Sequence, residues 1–187
     1  MENNHGIIIF LGAPFSGKET QTTPLSQRLA IPVFSMGHLI REARVLDPEI
    51  ERAFQEYTVK GLHVPIDIKF GLLKKEMEKH AEGFILDNFP ASQEDLDVFN
   101  EYISNSPLKV SKVFYLKIGH QEMIKRFNES SDRGRADDTI EALQTRSTVQ
   151  SEDREPVLEY FKNQGMLVEI NGEQNIEKVT DDIIKNL

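Results

Sequence analysis

Apolar residues fall into short unbroken blocks, and these alternate with longer stretches where apolar positions recur every three or four residues. The first block, "GIIIFLGAP" at 6–14, ends in Gly and Pro, as a buried strand does. "IPVFS" (31–35), "GFILDNFP" (83–90), "SKVFYLKI" (111–118) and "MLVEING" (166–172) read as four more strands. The periodic stretches predict helices over 17–29, 37–45, 48–59, 66–80, 92–104, 120–128, 138–163 and 175–186. Continuously apolar strands separated by helices imply an α/β fold, a parallel sheet covered on both faces. Ligands of such sheets sit beyond the carboxyl ends of the strands. Chemistry is therefore expected in segments 12–20, 35–41, 87–95 and 117–120.

One of these segments carries a recognisable pattern. Gly12-x4-Gly17-Lys18 follows a predicted strand and opens a predicted helix. Glycines let a backbone curl with its N–H groups inward, and a helix N-terminus adds positive potential. The segment Gly12, Ala13, Pro14, Phe15, Ser16, Gly17, Lys18, Glu19 and Thr20 thus reads as a phosphate cradle, with Lys18 as its mobile charge. Glu19 occupies the position where the general pattern has a Ser or Thr for magnesium, and Thr20 comes next. Phe15 is expected either to hold a negative φ or to reshape the loop, because a bulky side chain takes a positive φ at a cost.

Composition narrows the partners. Net charge is −9, with 39% apolar and 28% charged residues. A DNA or RNA surface is normally basic, so nucleic acid is not expected as a partner. The basic residues concentrate between Lys125 and Arg146, as a local anion pocket requires. No apolar run approaches membrane-spanning length, no signal-peptide layout opens the chain, and there is no cysteine. A cytoplasmic location is the simplest expectation.

The loop resembles that of the adenylate kinases and related nucleoside monophosphate kinases, which read G-x-P-G-x-G-K-G-T-Q. Gly12, Pro14, Gly17, Lys18, Thr20 and Gln21 match, while Phe15 and Glu19 replace glycines. The likeness continues in "FSMGHLIREA", "GLHVPIDIKFGLLKKEM", "GFILDNFPAS", "GRADDTIEALQTR" and the C-terminal strand and helix. It implies a P-loop NTPase-type three-layer sandwich with a five-stranded parallel sheet in the order 2-3-1-4-5. Residues 1–187 would form one kinase-like domain, with a monophosphate-binding segment at 36–65 and a short lid at 129–138. The implied reaction moves the γ-phosphoryl group of ATP, with Mg2+, onto a nucleoside monophosphate, AMP favoured. The implied partners are small nucleotides, with no membrane and no second copy of the chain.

The resemblance also implies roles. Lys18, Arg126, Arg135 and Arg146 would stabilise the transferring charge, and Thr20 and Asp87 would face the metal. Ser35, Gly37, Arg41, Gly61, Val64 and Asp87 would meet the substrate. Each has a plainer rival: Asp87 a strand-end turn former, Arg41 a solvated helix arginine, Gly61 a bare turn, and Arg135 a partner of Asp137. Asp138 with Glu141 reads as the capping box of the helix at 138–163.

Several positions depart from the family pattern. Ala91 stands where the family has an arginine on the acceptor phosphate. Glu129 and Ser130 occupy a second arginine position, with Arg133 further on. His38 replaces an Asp, and Asp95 falls where the family reads the base with Gln or Asn. These departures leave two alternatives open: a degenerate nucleotide-binding module, or a kinase of a non-nucleotide acceptor.

Overall fold

The computed structural model describes residues 5–130 and 139–187. Its sheet has five parallel strands: β1 (Gly6–Gly12), β2 (Val33–Ser35), β3 (Gly83–Asp87), β4 (Val110–Lys117) and β5 (Leu167–Asn171). Their order is β2-β3-β1-β4-β5, as expected. The helices are α1 (Lys18–Leu29), α2 (Met36–Ala43), α3 (Pro48–Glu56), α4 (Ile66–Met77), α5 (Gln93–Ser104), α6 (His120–Glu129), α7 (Ile140–Asn163) and α8 (Ile176–Lys185).

The unbroken apolar strands have a direct structural reason. Successive side chains of a strand point to opposite faces. Ile7, Ile9 and Leu11 enter one core, and Ile8 and Phe10 enter the other. The first core is closed by α2, α3, α4, α5 and α7, the second by α1 and α8. With both faces covered, β1 has no solvent side on which to place a polar residue.

Element ends differ from expectation in places. The helix expected over 48–59 splits: α3 ends at Glu56, and a separate 3-10 turn spans Thr58–Lys60. The helix expected to 80 stops at Met77, where tighter bonds from Lys79 N–H to the Glu76 carbonyl and from His80 N–H to the Met77 carbonyl close the last turn. Thr139 caps α7: its hydroxyl accepts from Ala142 N–H at 3.1 Å. Asp138 lies outside the described residues, as do Arg133 and Arg135 and most of the expected lid.

Candidate active site

The carboxyl ends of β1 and β3 open into one cavity of about 1030 Å³. That is the upper end of what small-ligand pockets occupy. Its floor is the loop between β1 and α1. Gly17, the residue before α1, has φ 92°, a conformation that costs glycine little. Lys18 Nζ donates to the carbonyls of Gly12 (2.9 Å) and Ala13 (3.0 Å) and meets Ser16 Oγ at 3.5 Å. The lysine therefore folds back over its own loop. Burial pushes its amine down to about 8; Asp87 opposes this shift, while Arg154 and Arg146 add to it.

Asp87 ends β3, whose register sets it beside Phe10 of β1 and Ser35 of β2. It is 9% exposed, and burial raises its carboxyl above the usual range, opposed by Lys18, a Ser35 hydrogen bond and Arg41. Its Oδ1 is buried without a hydrogen-bond partner among the described residues. The turn-former alternative does not account for that atom, because a turn former spends its oxygens on nearby backbone N–H groups. Ser35, Gly37, Arg41, Val64 and Arg146 line the same cavity, and Thr20 and Glu19 stand exposed at its rim. Glu19 lies within the first turn of α1, where the helix dipole favours its charge, and that charge adds to the rise at Asp87.

Phe15 corrects the expectation about its backbone. Its φ is +60°, not negative, and α1 starts at Lys18. Two contacts hold it there. Its ring meets Phe127 edge-on at 5.4 Å, and its carbonyl accepts from Arg126 Nη1 at 3.2 Å. Arg126 also donates through Nη2 to the Gly172 carbonyl (2.7 Å) and through Nε to Glu122 (2.8 Å). It therefore clamps the loop to the turn after β5. Gln21 ties α1 to α8 through Ile176 and Thr180.

The far lobe of the cavity has a wall that sequence reasoning missed. Lys69 Nζ and Asp95 Oδ1 form a buried ion pair, and Asp95 Oδ2 accepts from Ala91 N–H at 3.0 Å. Asp95 is thus committed to its neighbours. Gly61 has φ 77°, and a Cβ there would strike the α7 backbone at Ala142 and Arg146, so this glycine seats the turn against α7. His38 is largely exposed and pairs with Glu42 on its own helix.

Arg154 was also missed. It is 3% exposed, and its Nε and Nη2 have no hydrogen-bond partner among the described residues. Both missed cations had a signal. Positions 69, 73 and 77, and positions 154, 157, 158 and 161, are buried stripes at helical spacing, each with a cation on it.

A glycine-bearing loop between strand and helix, a carboxylate ending the adjacent strand, and arginines converging from helices define a P-loop phosphotransferase. The adenylate kinase family model matches residues 10–166. The chain is 32% identical over 176 residues to the adenylate kinase of Prochlorococcus marinus, covering 94% of this chain and 95% of that protein. It is 33% identical over 180 residues to adenylate kinase 1 of a Synechocystis species, covering 95% of each. This chain belongs to the adenylate kinase family, whose members are nucleotide phosphotransferases.

Proposed function

We propose that this chain transfers the γ-phosphoryl group of ATP to a nucleoside monophosphate, AMP before others, in a magnesium-dependent reaction. The observation that carries this is a cavity lined by Lys18, Asp87, Arg41 and Arg146 together. An acceptor-phosphate oxygen attacks the γ-phosphorus, the bond to the β–γ bridging oxygen breaks, and a nucleoside diphosphate forms on each side. Such transfer is mostly positioning and charge neutralisation. Loop N–H groups and Lys18 hold the donor phosphates, with Lys18 exchanging loop carbonyls for phosphate oxygens. Arg41 takes the acceptor phosphate. Arg146 stabilises the charge between the two.

The residues present fit magnesium. The unpartnered Asp87 Oδ1 and the Thr20 hydroxyl are hard oxygen donors at the loop. When bound, the ion neutralises charge on the donor phosphates. Residues 36–65 act as a moving wall that shuts water out. A cytoplasmic monomer fits a cysteine-free chain whose described helices include none long and apolar enough to cross a membrane.

Ala91 favours a second reading, a nucleotide-binding module without transfer, because it offers the acceptor phosphate no charge. Incubation with ATP, magnesium and AMP, CMP, UMP or GMP in turn separates the two. Diphosphate formation, greatest with AMP and abolished by Lys18→Ala, is the expected result. ATP binding with no diphosphate from any monophosphate would favour the module.

A further inference from the structure

Glu19 sets a negative charge beside a loop built for phosphate. In the strand–loop–helix pattern that Gly12, Gly17 and Lys18 follow, the residue after the lysine turns its side chain to magnesium. The frame of that pattern is kept: Gly17 holds the left-handed turn before α1, and Lys18 and Glu19 open the helix. Position 19 therefore stands where the pattern has its metal-facing hydroxyl, with a carboxylate in its place. Glu19 is exposed and lines the cavity together with Thr20 and Asp87. Among the described residues, no hydrogen bond or ion pair engages its carboxylate.

The opposite side of this corner has a matching group. α1 packs against β3, whose last residue is Asp87. Asp87 is 9% exposed and lines the same cavity, and its Oδ1 has no hydrogen-bond partner among the described residues. Two carboxylates from neighbouring elements and the Thr20 hydroxyl thus border one space beside the loop. All are hard oxygen donors. Mg2+ is commonly held by only one or two carboxylates, with waters and substrate phosphates completing its shell.

Electrostatics separates this use of Glu19 from a plainer one. A glutamate in the first turn of a helix is favoured by the dipole whatever the ligand, and that role is indifferent to metal. A bare carboxylate beside the loop also repels the donor phosphates, the more so where water is excluded. A divalent cation shared by carboxylate and phosphates reverses the sign. Glu19 then attracts the nucleotide–magnesium complex and repels the free nucleotide.

We propose that Glu19 is a metal-facing residue, whose carboxylate joins Asp87 Oδ1 in holding the magnesium of bound ATP, so that the loop selects the magnesium complex over free ATP. This deepens the magnesium-dependent reading above and rests on it.

The test is calorimetric. ATP binding to the full chain is measured with excess Mg2+ and with EDTA, for wild type, Glu19→Gln and Glu19→Asp. Wild type should bind the magnesium complex more tightly than free ATP. Glu19→Gln should move the two affinities in opposite directions, the magnesium complex weaker by about fivefold and free ATP tighter by about threefold. Glu19→Asp keeps the charge and should keep the wild-type order of the two affinities. Thermal unfolding without nucleotide checks that both variants fold, as an exposed position allows. If Glu19→Gln leaves both affinities within about twofold of wild type, only the dipole role remains and the assignment is overturned. Two affinities that rise or fall together overturn it as well. If the affinities move as expected while wild type makes no diphosphate, the transfer reading falls and the metal assignment stands. If wild type makes diphosphate and Glu19→Gln binds both forms as wild type does, only the metal assignment falls.

Discussion

At Lys18 the contacts within the loop and the expected chemistry pull in opposite directions. Its amine is folded onto loop carbonyls, and burial holds it at about 8, so near pH 8 about half the molecules carry it uncharged. Phosphate oxygens restore the charge. ATP binding at pH 8 should therefore take up about half a proton, measurable by calorimetry in buffers of different ionisation enthalpy, and Lys18→Met should remove the uptake. Stability follows the same shift. Between about 8 and 10.5 the unfolded chain holds more protons at this site than the folded one. Lys18 therefore makes stability rise with pH through that window, while below it the full cost of burying the charge is present. The difference in urea midpoint between wild type and Lys18→Met should change across that range and be flat near pH 6. Phe15 makes a different demand. Its left-handed backbone costs on the order of 1 kcal/mol and is held by Phe127 and Arg126. A double-mutant cycle of Phe15→Gly and Phe127→Ala should give a coupling of about 0.5–1.5 kcal/mol in urea unfolding.

Elements bring together what the residues cannot arrange alone. Lys69 of α4 reaches Asp95 of α5 across the far lobe, with both side chains at most 5% exposed. Removing one partner strands a buried charge. Lys69→Met should cost about 3 kcal/mol, and Lys69→Met/Asp95→Asn should recover most of it while keeping an acceptor for the Ala91 N–H. Gly61→Ala should cost about 3 kcal/mol, because a methyl there is both strained at φ 77° and driven into α7. The phosphate loop could be read from the sequence because its logic is local: strand, turn glycine, lysine and helix follow one another within a dozen residues. The strands could be read because burial on both faces leaves no alternation. The Lys69–Asp95 pair could not, since its members are separated by 26 positions and meet only when α4 packs on α5. Asp95 therefore stood out only as a departure from a base-reading Gln or Asn, while its oxygens serve Lys69 and the backbone. Phe15 was misjudged for a similar reason: Phe127 and Arg126, more than a hundred residues away, hold its backbone in place.

At the scale of the molecule, an acidic chain places several cations around one opening. Net charge is −9, yet Lys18, Arg41, Arg126 and Arg146 all line the cavity. That contrast suits a small polyanion held in a pocket better than a nucleic acid spread over a surface. Family membership accords with the sheet order and with the loop at the carboxyl end of β1. Transfer between two adenine nucleotides is reversible, so the most direct measurement needs one nucleotide alone. The protein is mixed with ADP and magnesium and followed by phosphorus NMR. The account predicts that resonances of ATP and AMP grow together in equal amounts, and that Lys18→Ala leaves ADP untouched. An ADP spectrum that stays unchanged with folded wild-type protein, under conditions where calorimetry shows nucleotide bound, would contradict it.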